Sequence, residues 1–294
     1  VIISKFYGGL GNQMFQYATG RALALRHQTE LVADSRPFRT YNLHAYLIDR
    51  FNTVMIDASK VDLGGRVLPP EKRGVFGSSV WVLRNRGRLK YFREQSLLYD
   101  PAFESLGDET YLQGYWQSER YFRNIGSLLR EELTRPEPVD AVNLKFMEDM
   151  KSVLAVSLHI RRGDYVSNSK TLKVHGTCPL EYYYKAAACI AERTQQSPVF
   201  FIFSDDPGWT RENLKLPHEM HFVSHNDVSD PWLDLQLMRM CQHHIIANSS
   251  FSWWGAWLNA SPQKIVVAPS RWFADPGKDD RDIVPETWIR LSSN

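Results

Sequence analysis

Residues 152–169 read SVLAVSLHIRRGDYVSNS. The apolar run over 153–158 leads directly into His159, Arg161, Arg162 and Asp164. A short run rich in leucine and β-branched residues, set between polar segments, suits a strand in a sheet covered on both faces. The strand predicted over 153–160 therefore ends by delivering an imidazole, two guanidinium groups and a carboxylate to one place. Arginine offers a planar fork of donors that matches phosphate oxygens. Paired arginines at the carboxyl end of a parallel strand suggest a pyrophosphate clamp. For Arg-Arg alone, a strand ending in surface charges is the alternative.

The chain downstream keeps the same rhythm. Further strands are predicted over 199–204, 220–224, 244–247 and 264–268, with helices over 180–194, 206–214, 231–241 and 251–258. Pro179 suits the first turn of the first helix, where its missing N–H would be unpaired anyway. Strands alternating with helices of this length argue for an α/β domain with a doubly wound, parallel, Rossmann-like sheet. Ligands of such sheets bind outside the carboxyl ends of the strands. Those ends read His159-Ile160-Arg161-Arg162-Gly163-Asp164, Ser204-Asp205-Asp206, Ser224-His225-Asn226-Asp227 and Asn248-Ser249-Ser250. Any solvated loop is polar, but charged and hydroxyl-rich ends in series fit a nucleotide pocket better. Ser249 and Ser250 open the helix that carries Phe251. Serine caps and the helix dipole favour an anion there. Trp253, Trp254 and Trp257 read as packing, and Gly255 and Ala256 as allowing close approach to the sheet.

The first half is less regular. A strand over 1–7 and a helix over 13–26 are joined by Gly8-Gly9-Leu10-Gly11-Asn12. Glycines between a strand and a helix let backbone amides approach a ligand, although neither G-x-G-x-x-G nor a P-loop is matched. A strand is predicted over 111–116 and a helix over 118–133. Pro136 and Pro138 mark a boundary. The expected lobes are 1–138 and 139–270, with a Trp-bearing tail, 271–294, packing back on the body.

Composition narrows the function. The 294 residues are 43% hydrophobic and 23% charged with a net charge of +2, ordinary for a globular protein and without the basic footprint of a nucleic-acid binder. The longest apolar runs are far shorter than a membrane span, and no signal-peptide layout opens the sequence. Cys178, Cys189 and Cys241 make neither a disulfide framework nor a zinc motif. A cytoplasmic location is the simplest expectation, with peripheral membrane association and a lost terminal anchor left open. Asp280-Arg281-Asp282 reads as a solvated D-x-D rather than a metal site, and His218-Glu219-Met220-His221 has the wrong spacing for a zinc metalloprotease. No metal or cofactor is expected.

Five segments together resemble the inverting GDP-fucose-dependent fucosyltransferases, most closely the α-1,2-fucosyltransferases of glycosyltransferase family 11. They are Gly8 to Ala18 (GGLGNQMFQYA), Gly114 to Glu119 (GYWQSE), His159 to Tyr165 (HIRRGDY), Phe203 to Asp206 (FSDD) and Asn248 to Gly255 (NSSFSWWG). The resemblance implies a two-lobed, GT-B-like fold in which the second lobe holds most of the donor nucleotide. It implies that Arg161 contacts the β-phosphate of GDP, and that His159 and one of Asp205 and Asp206 face the guanosine. Ser249, Ser250 and Phe251 complete the donor site, with Gly11 and Asn12 reaching the donor from the first lobe. Tyr115, Trp116 and Gln117 are candidate contacts for a β-galactoside acceptor, with strand packing the equal alternative for Trp116. Asp164 is the nominal general base, or else an ion-pair partner of Arg161 or Arg162. The implied reaction moves L-fucose from GDP-β-L-fucose to a galactoside 2-hydroxyl without a metal. A GDP-fucose transferase of another linkage and a non-catalytic GDP-sugar-binding protein are the alternatives.

Overall fold

The chain divides into two units, Val1–Arg135 and Pro136–Asn294, each built around a parallel sheet. The computed structural model describes residues 1–40, 43–70, 88–135, 140–227 and 229–292; Pro136 and Pro138 lie outside them.

The first unit contains β1 (Ile2–Lys5), α1 (Leu10–Arg26), β2 (Leu31–Asp34), β3 (Ile56–Asp57), β4 (Lys90–Arg93), β5 (Thr110–Gln113) and α2 (Gly126–Glu132). Its strands run in the order β3-β2-β1-β5-β4, every pairing parallel. Helix α1 lies close on the sheet at Gly20, where a Cβ would stand 2.7 Å from Leu31 Cδ1 and 3.1 Å from Ser4 Cβ. It begins at Leu10, three residues ahead of the expected start. Gly9 is its extended N-cap, and Gln13 N–H already bonds the Gly9 carbonyl at 3.1 Å. The helix expected over 118–133 is instead two 3-10 turns, Glu119–Tyr121 and Arg123–Ile125, followed by α2. Tyr121 and Phe122 are both buried. Neighbouring residues of an α-helix point about 100° apart, and Phe122 leaves helical backbone, at φ −144°.

The second unit contains α3 (Ala141–Ser152), β6 (Ala155–Ile160), α4 (Gly163–Ser167), α5 (Ser169–His175), α6 (Leu180–Thr194), β7 (Val199–Ser204), α7 (Pro207–Asn213), β8 (Met220–Val223), α8 (Pro231–Met240), β9 (His243–Ile245), α9 (Ser250–Leu258), β10 (Val266–Pro269) and β11 (Ile289–Leu291). The order is β11-β10-β9-β6-β7-β8, again parallel throughout. This is the doubly wound order of a dinucleotide-binding sheet. Alternation along the strands covers both faces. Val156, Leu158, Ile160, Phe200 and Ile202 pack under Tyr182, Tyr183, Ala186, Ala187 and Ile190 of α6. Ala155, Phe201 and Phe203 pack under Met147 and Met150 of α3 and Leu237 and Met238 of α8. The two parallel α/β units agree with the two-lobed, GT-B-like class expected from the sequence.

Strands β2, β3 and β4 of the first unit and four elements of the second escape the sequence pattern. Helix α3 precedes β6, α4 and α5 follow it, and residues 271–294 supply β11, paired along β10. Pro179 is the N-cap of α6 rather than a residue of its first turn. Among the described residues no helix is long and apolar enough to cross a membrane.

Gly255 approaches α8 rather than the sheet: a Cβ there would stand 2.8 Å from Met238 Sδ and 2.9 Å from Met238 Cβ. Because Met238 Cβ is rigidly tied to its backbone, the helices must part to admit a methyl. Gly255→Ala is expected to lower the unfolding free energy by about 1–3 kcal/mol, the cost of overpacking a core. Urea titration measures it; an unshifted midpoint would mean that α8 and α9 are not in this contact.

Candidate functional site

Strand order in the second unit reverses beside β6, with β7 and β8 on one side and β9, β10 and β11 on the other. Loops leaving β6 and β9 therefore depart in opposite directions and open a crevice at the carboxyl ends, where such sheets hold ligands. The sequence delivers HIRRGD to one lip and NSS to the other.

On the β6 lip, Arg161 Nη1 pairs with Asp205 Oδ2 at 3.0 Å. The backbone N–H of Arg162 donates to Asp205 Oδ1 at 2.7 Å. Arg162 Nε pairs with Asp206 Oδ2 at 3.3 Å, and its guanidinium lies 3.5 Å over the Trp209 ring. Asp206 Oδ1 also accepts from Trp209 N–H, capping α7. Both aspartates, one of which is expected from the sequence to face the guanosine, thus serve the arginine pair, the role given to Asp164 as the alternative to that of base. Asp164 is the second residue of α4, and its side chain lies outside the described set. Gly163 is what lets Asp205 approach, since a Cβ there would fall 2.5 Å from Asp205 Oδ2.

His159 is 5% exposed, and its Nδ1 has no hydrogen-bond partner. Its ring centroid lies 5.9 Å from that of Phe251, the second residue of α9. Burial first, and then the charge of Arg161, pushes its pKa down to about 3. The imidazole is therefore neutral at physiological pH, and its Nδ1 is buried without a hydrogen-bond partner.

The β9 lip differs from expectation. Ser249 is the N-cap of α9, but its side chain makes no capping bond. Asn248 is a staple rather than a lining residue. Buried, it donates through Nδ2 to the carbonyls of His175 at 2.9 Å and Trp272 at 3.2 Å, tying α5 and the tail to β9. Asp280 is likewise committed, accepting from Trp272 N–H at 2.5 Å.

The first unit has a reversal of its own, between β1 and β5, and the remaining predicted residues gather at its carboxyl ends. Gln117 Nε2 donates to Asn12 Oδ1 at 2.7 Å. Tyr115, 36% exposed, packs its ring 4.8 Å from Tyr7 at 57°. Gly8, at φ +84°, could not carry a side chain, because a Cβ would lie 2.9 Å from Asn12 Nδ2. Tyr7 is absent from the sequence prediction; its place between β1 and the paired glycines is the signal that marks it.

The two glutamines of GNQMFQ hold this corner from beneath. Gln13 Nε2 donates to the carbonyls of Gly8 and Ala45, and its Oε1 accepts from Leu47 and Ile48 N–H. All four bonding positions of the amide are used. Gln16 spans Tyr7, whose N–H and carbonyl it bonds, and the Gly114 carbonyl. Two expected contacts are corrected. Trp116 is fully buried, stacked on Phe92 at 5.7 Å and edge-on to Tyr121, so it has no face to offer a sugar. Gly11 lies buried in the first turn of α1 rather than in a loop.

His159 and the fully buried His244, whose pKa burial also holds well below 6.5, make acid stability predictable. His244 is bonded through both nitrogens, to Ser157 Oγ at 2.8 Å and Asn259 Nδ2 at 2.9 Å. An unfolded histidine titrates near 6.5, so between that pH and about 3 the unfolded chain binds protons that the native chain refuses. Stability is therefore complete above about pH 6.5 and lost as pH falls, by up to ~1.4 kcal/mol per pH unit per histidine. Asp234, raised to about 6 by burial, acts in the opposite sense below that pH. Denaturant titrations at pH 7 and 5 should give a shallower pH slope for His159→Asn than for the parent; equal slopes would show that His159 protonates in the native state.

Residues 90–292 match the family described as Glycosyl transferase family 11. An alpha-1,2-colitosyltransferase of Escherichia coli is 34% identical over 99% of this chain and 99% of its own length. A galactoside alpha-(1,2)-fucosyltransferase 1 of Alouatta caraya is 26% identical over 98% of this chain and 74% of its own. Among solved structures, a mutant of Arabidopsis thaliana FUT1 in complex with GDP aligns with TM-score 0.51 and 11% identity over 92% of this chain and 71% of that one, a likeness of fold. With the family matched over most of the chain and a relative aligned end to end, the chain belongs to glycosyl transferase family 11 and is a glycosyltransferase.

Proposed function

We propose that the chain transfers L-fucose from GDP-β-L-fucose to the 2-hydroxyl of a terminal β-galactoside, with inversion at the anomeric carbon and without a metal. The observation that carries this reading is the Arg161–Asp205 pair at the β6 switch point, 3.0 Å apart beside the neutral His159. Breaking the fucose–phosphate bond builds positive charge on the sugar and negative charge on the departing GDP. Arg161, its orientation fixed by Asp205, supplies a guanidinium for the β-phosphate, and the first turn of α9 adds backbone N–H groups and a positive helix end. Charge held ready in this way is commonly the largest catalytic contribution. His159 Nδ1 is free to bond the nucleoside, with Phe251 beside it. Ser249 and Ser250 line the phosphate and ribose. The acceptor sugar falls to Tyr115 and Gln117, and Asn12, expected from the sequence to reach the donor, joins them through its bond to Gln117: an aromatic face beside an amide pair. The acceptor proton passes to Asp164 or, without a protein base, to the leaving phosphate.

A second donor is favoured by a specific finding, the 34% identity to an alpha-1,2-colitosyltransferase. Colitose is L-fucose without its 3-hydroxyl, so both donors present the same GDP group to Arg161. A site that bonds the 3-hydroxyl discriminates strongly against the sugar lacking it, whereas an apolar one hardly distinguishes the two.

Release of GDP in EDTA, with and without lactose, tests the reading. Lactose-dependent release from GDP-fucose, giving an α-1,2-linked product by NMR, is expected; release only from GDP-colitose transfers the assignment to that donor. Tight GDP binding without turnover of either donor would support a binding protein instead. Arg161→Ala should lose about two orders of magnitude in turnover, as when one preorganised donor to a developing oxyanion is removed. Near-normal turnover in the folded variant would refute the leaving-group role.

A further inference from the structure

The turn that carries Tyr115 and Gln117 is held by a half-buried carboxylate at the end of the neighbouring strand. Glu94 follows directly after β4, and its backbone N–H continues the ladder to the Gln113 carbonyl at 3.0 Å. Its Oε2 accepts from Tyr115 N–H at 2.7 Å and its Oε1 from Trp116 N–H at 2.8 Å. Among the described residues it has no cationic partner. Gly114 admits this approach, since a Cβ there would fall 2.5 Å from Glu94 Cβ and 2.8 Å from the Trp116 ring.

The turn would not keep this shape unaided. Trp116 sits at φ +57°, in the left-handed region that bulky residues avoid. Its buried indole N–H has no partner, which is a further cost. Both are offset only while something grips the backbone on either side, and Glu94 grips two successive amides. What the turn then presents is specific. Gln117 donates to Asn12, leaving Gln117 Oε1 as acceptor and Asn12 Nδ2 as donor without partners among the described residues. Asn12 Nδ2 and the Tyr115 ring both border Gly8, 2.9 and 3.5 Å from a Cβ placed there, so a donor and an acceptor carried on one amide pair, with the exposed tyrosine ring, suit the hydroxyls and apolar face of a sugar.

We propose that Glu94 is the positioning residue of the glycan subsite: by holding the amides of Tyr115 and Trp116 it presents the Tyr115 ring and the Asn12–Gln117 amide pair as one surface to the acceptor sugar. This rests on the glycosyl-transfer reading above and adds to it the residue that shapes acceptor recognition. Glutamine at 94 keeps the volume but has one acceptor oxygen, and its NH2 opposes one of the two backbone N–H groups. The turn must then open.

Glu94→Gln is therefore expected to raise the KM for a β-galactoside about tenfold, the scale of one lost polar contact, while the Kd for GDP stays as in the parent. Deuterium uptake at the amides of Tyr115 and Trp116 should accelerate in the same variant, and Glu94→Asp, which keeps both oxygens on a shorter stem, should fall between. A purely structural role would lower the melting temperature while leaving the acceptor KM and the folded fraction's turnover alone, and that result overturns the proposal. Unchanged uptake overturns it too. If the parent turns over no sugar nucleotide, the function reading fails and acceptor binding decides: saturation-transfer NMR with methyl β-galactoside seen for the parent and lost in Glu94→Gln retains the subsite, and no signal from the parent removes it.

Discussion

The reversal of strand order beside β6 is the constraint on which the rest depends. A parallel sheet forces each connection across a face, and where the connections diverge the carboxyl ends are left uncovered. Elsewhere β6 is sealed: all six of its residues are buried. Only at its end can charged groups reach a ligand, and only there does the chain place Arg161 and Arg162. The arginines are not left to solvent. Asp205 and Asp206, at the end of the adjacent strand β7, pair one with each. The β6–β7 register, His159 opposite Phe203 and Ile160 opposite Ser204, sets that pairing by bringing the two strand ends level.

A glycine decides whether the clamp forms. Asp205 reaches two consecutive residues of the HIRRGD segment only because Gly163 has no Cβ in its path. The first unit repeats the device with different residues: Gly8 makes room for Asn12, and Gly114 for Glu94. In both units a missing side chain lets a polar group from one strand end govern the loop of its neighbour. Backbone amides and carbonyls near the site are bonded by buried side chains such as Gln13, Gln16 and Asn248, where an unpaired group would cost about 1–3 kcal/mol.

The second unit was largely legible in the sequence because its strands are buried on both faces and its helices carry one apolar stripe. Those two periodicities survive tertiary packing, and α6 and β7 have the bounds their patterns predict. The failures are equally physical. Helix α3 buries only Asn143, Met147 and Met150 and leaves Val142 and Leu144 exposed, so its apolar stripe is blurred. Helices α4 and α5 form where the sequence suggests a loop, as short segments tied to β9 and the tail through Asn248. In the first unit, Tyr121 and Phe122 are buried side by side, and a helical pattern gave way to 3-10 turns.

The sequence by itself determined the class of the fold, the strand ends that bear chemistry and the family, because apolar periodicity and the motif residues are local properties of the chain. It did not determine which of those residues meet. The pairing of Arg161 with Asp205, the burial that strips His159 of its proton, the role of Asn248 as a staple and the hold of Glu94 on a left-handed tryptophan all join residues that are distant in sequence or set apart by packing. Such contacts depend on strand order, register and the space left by absent side chains, and these exist only once the sheets have formed.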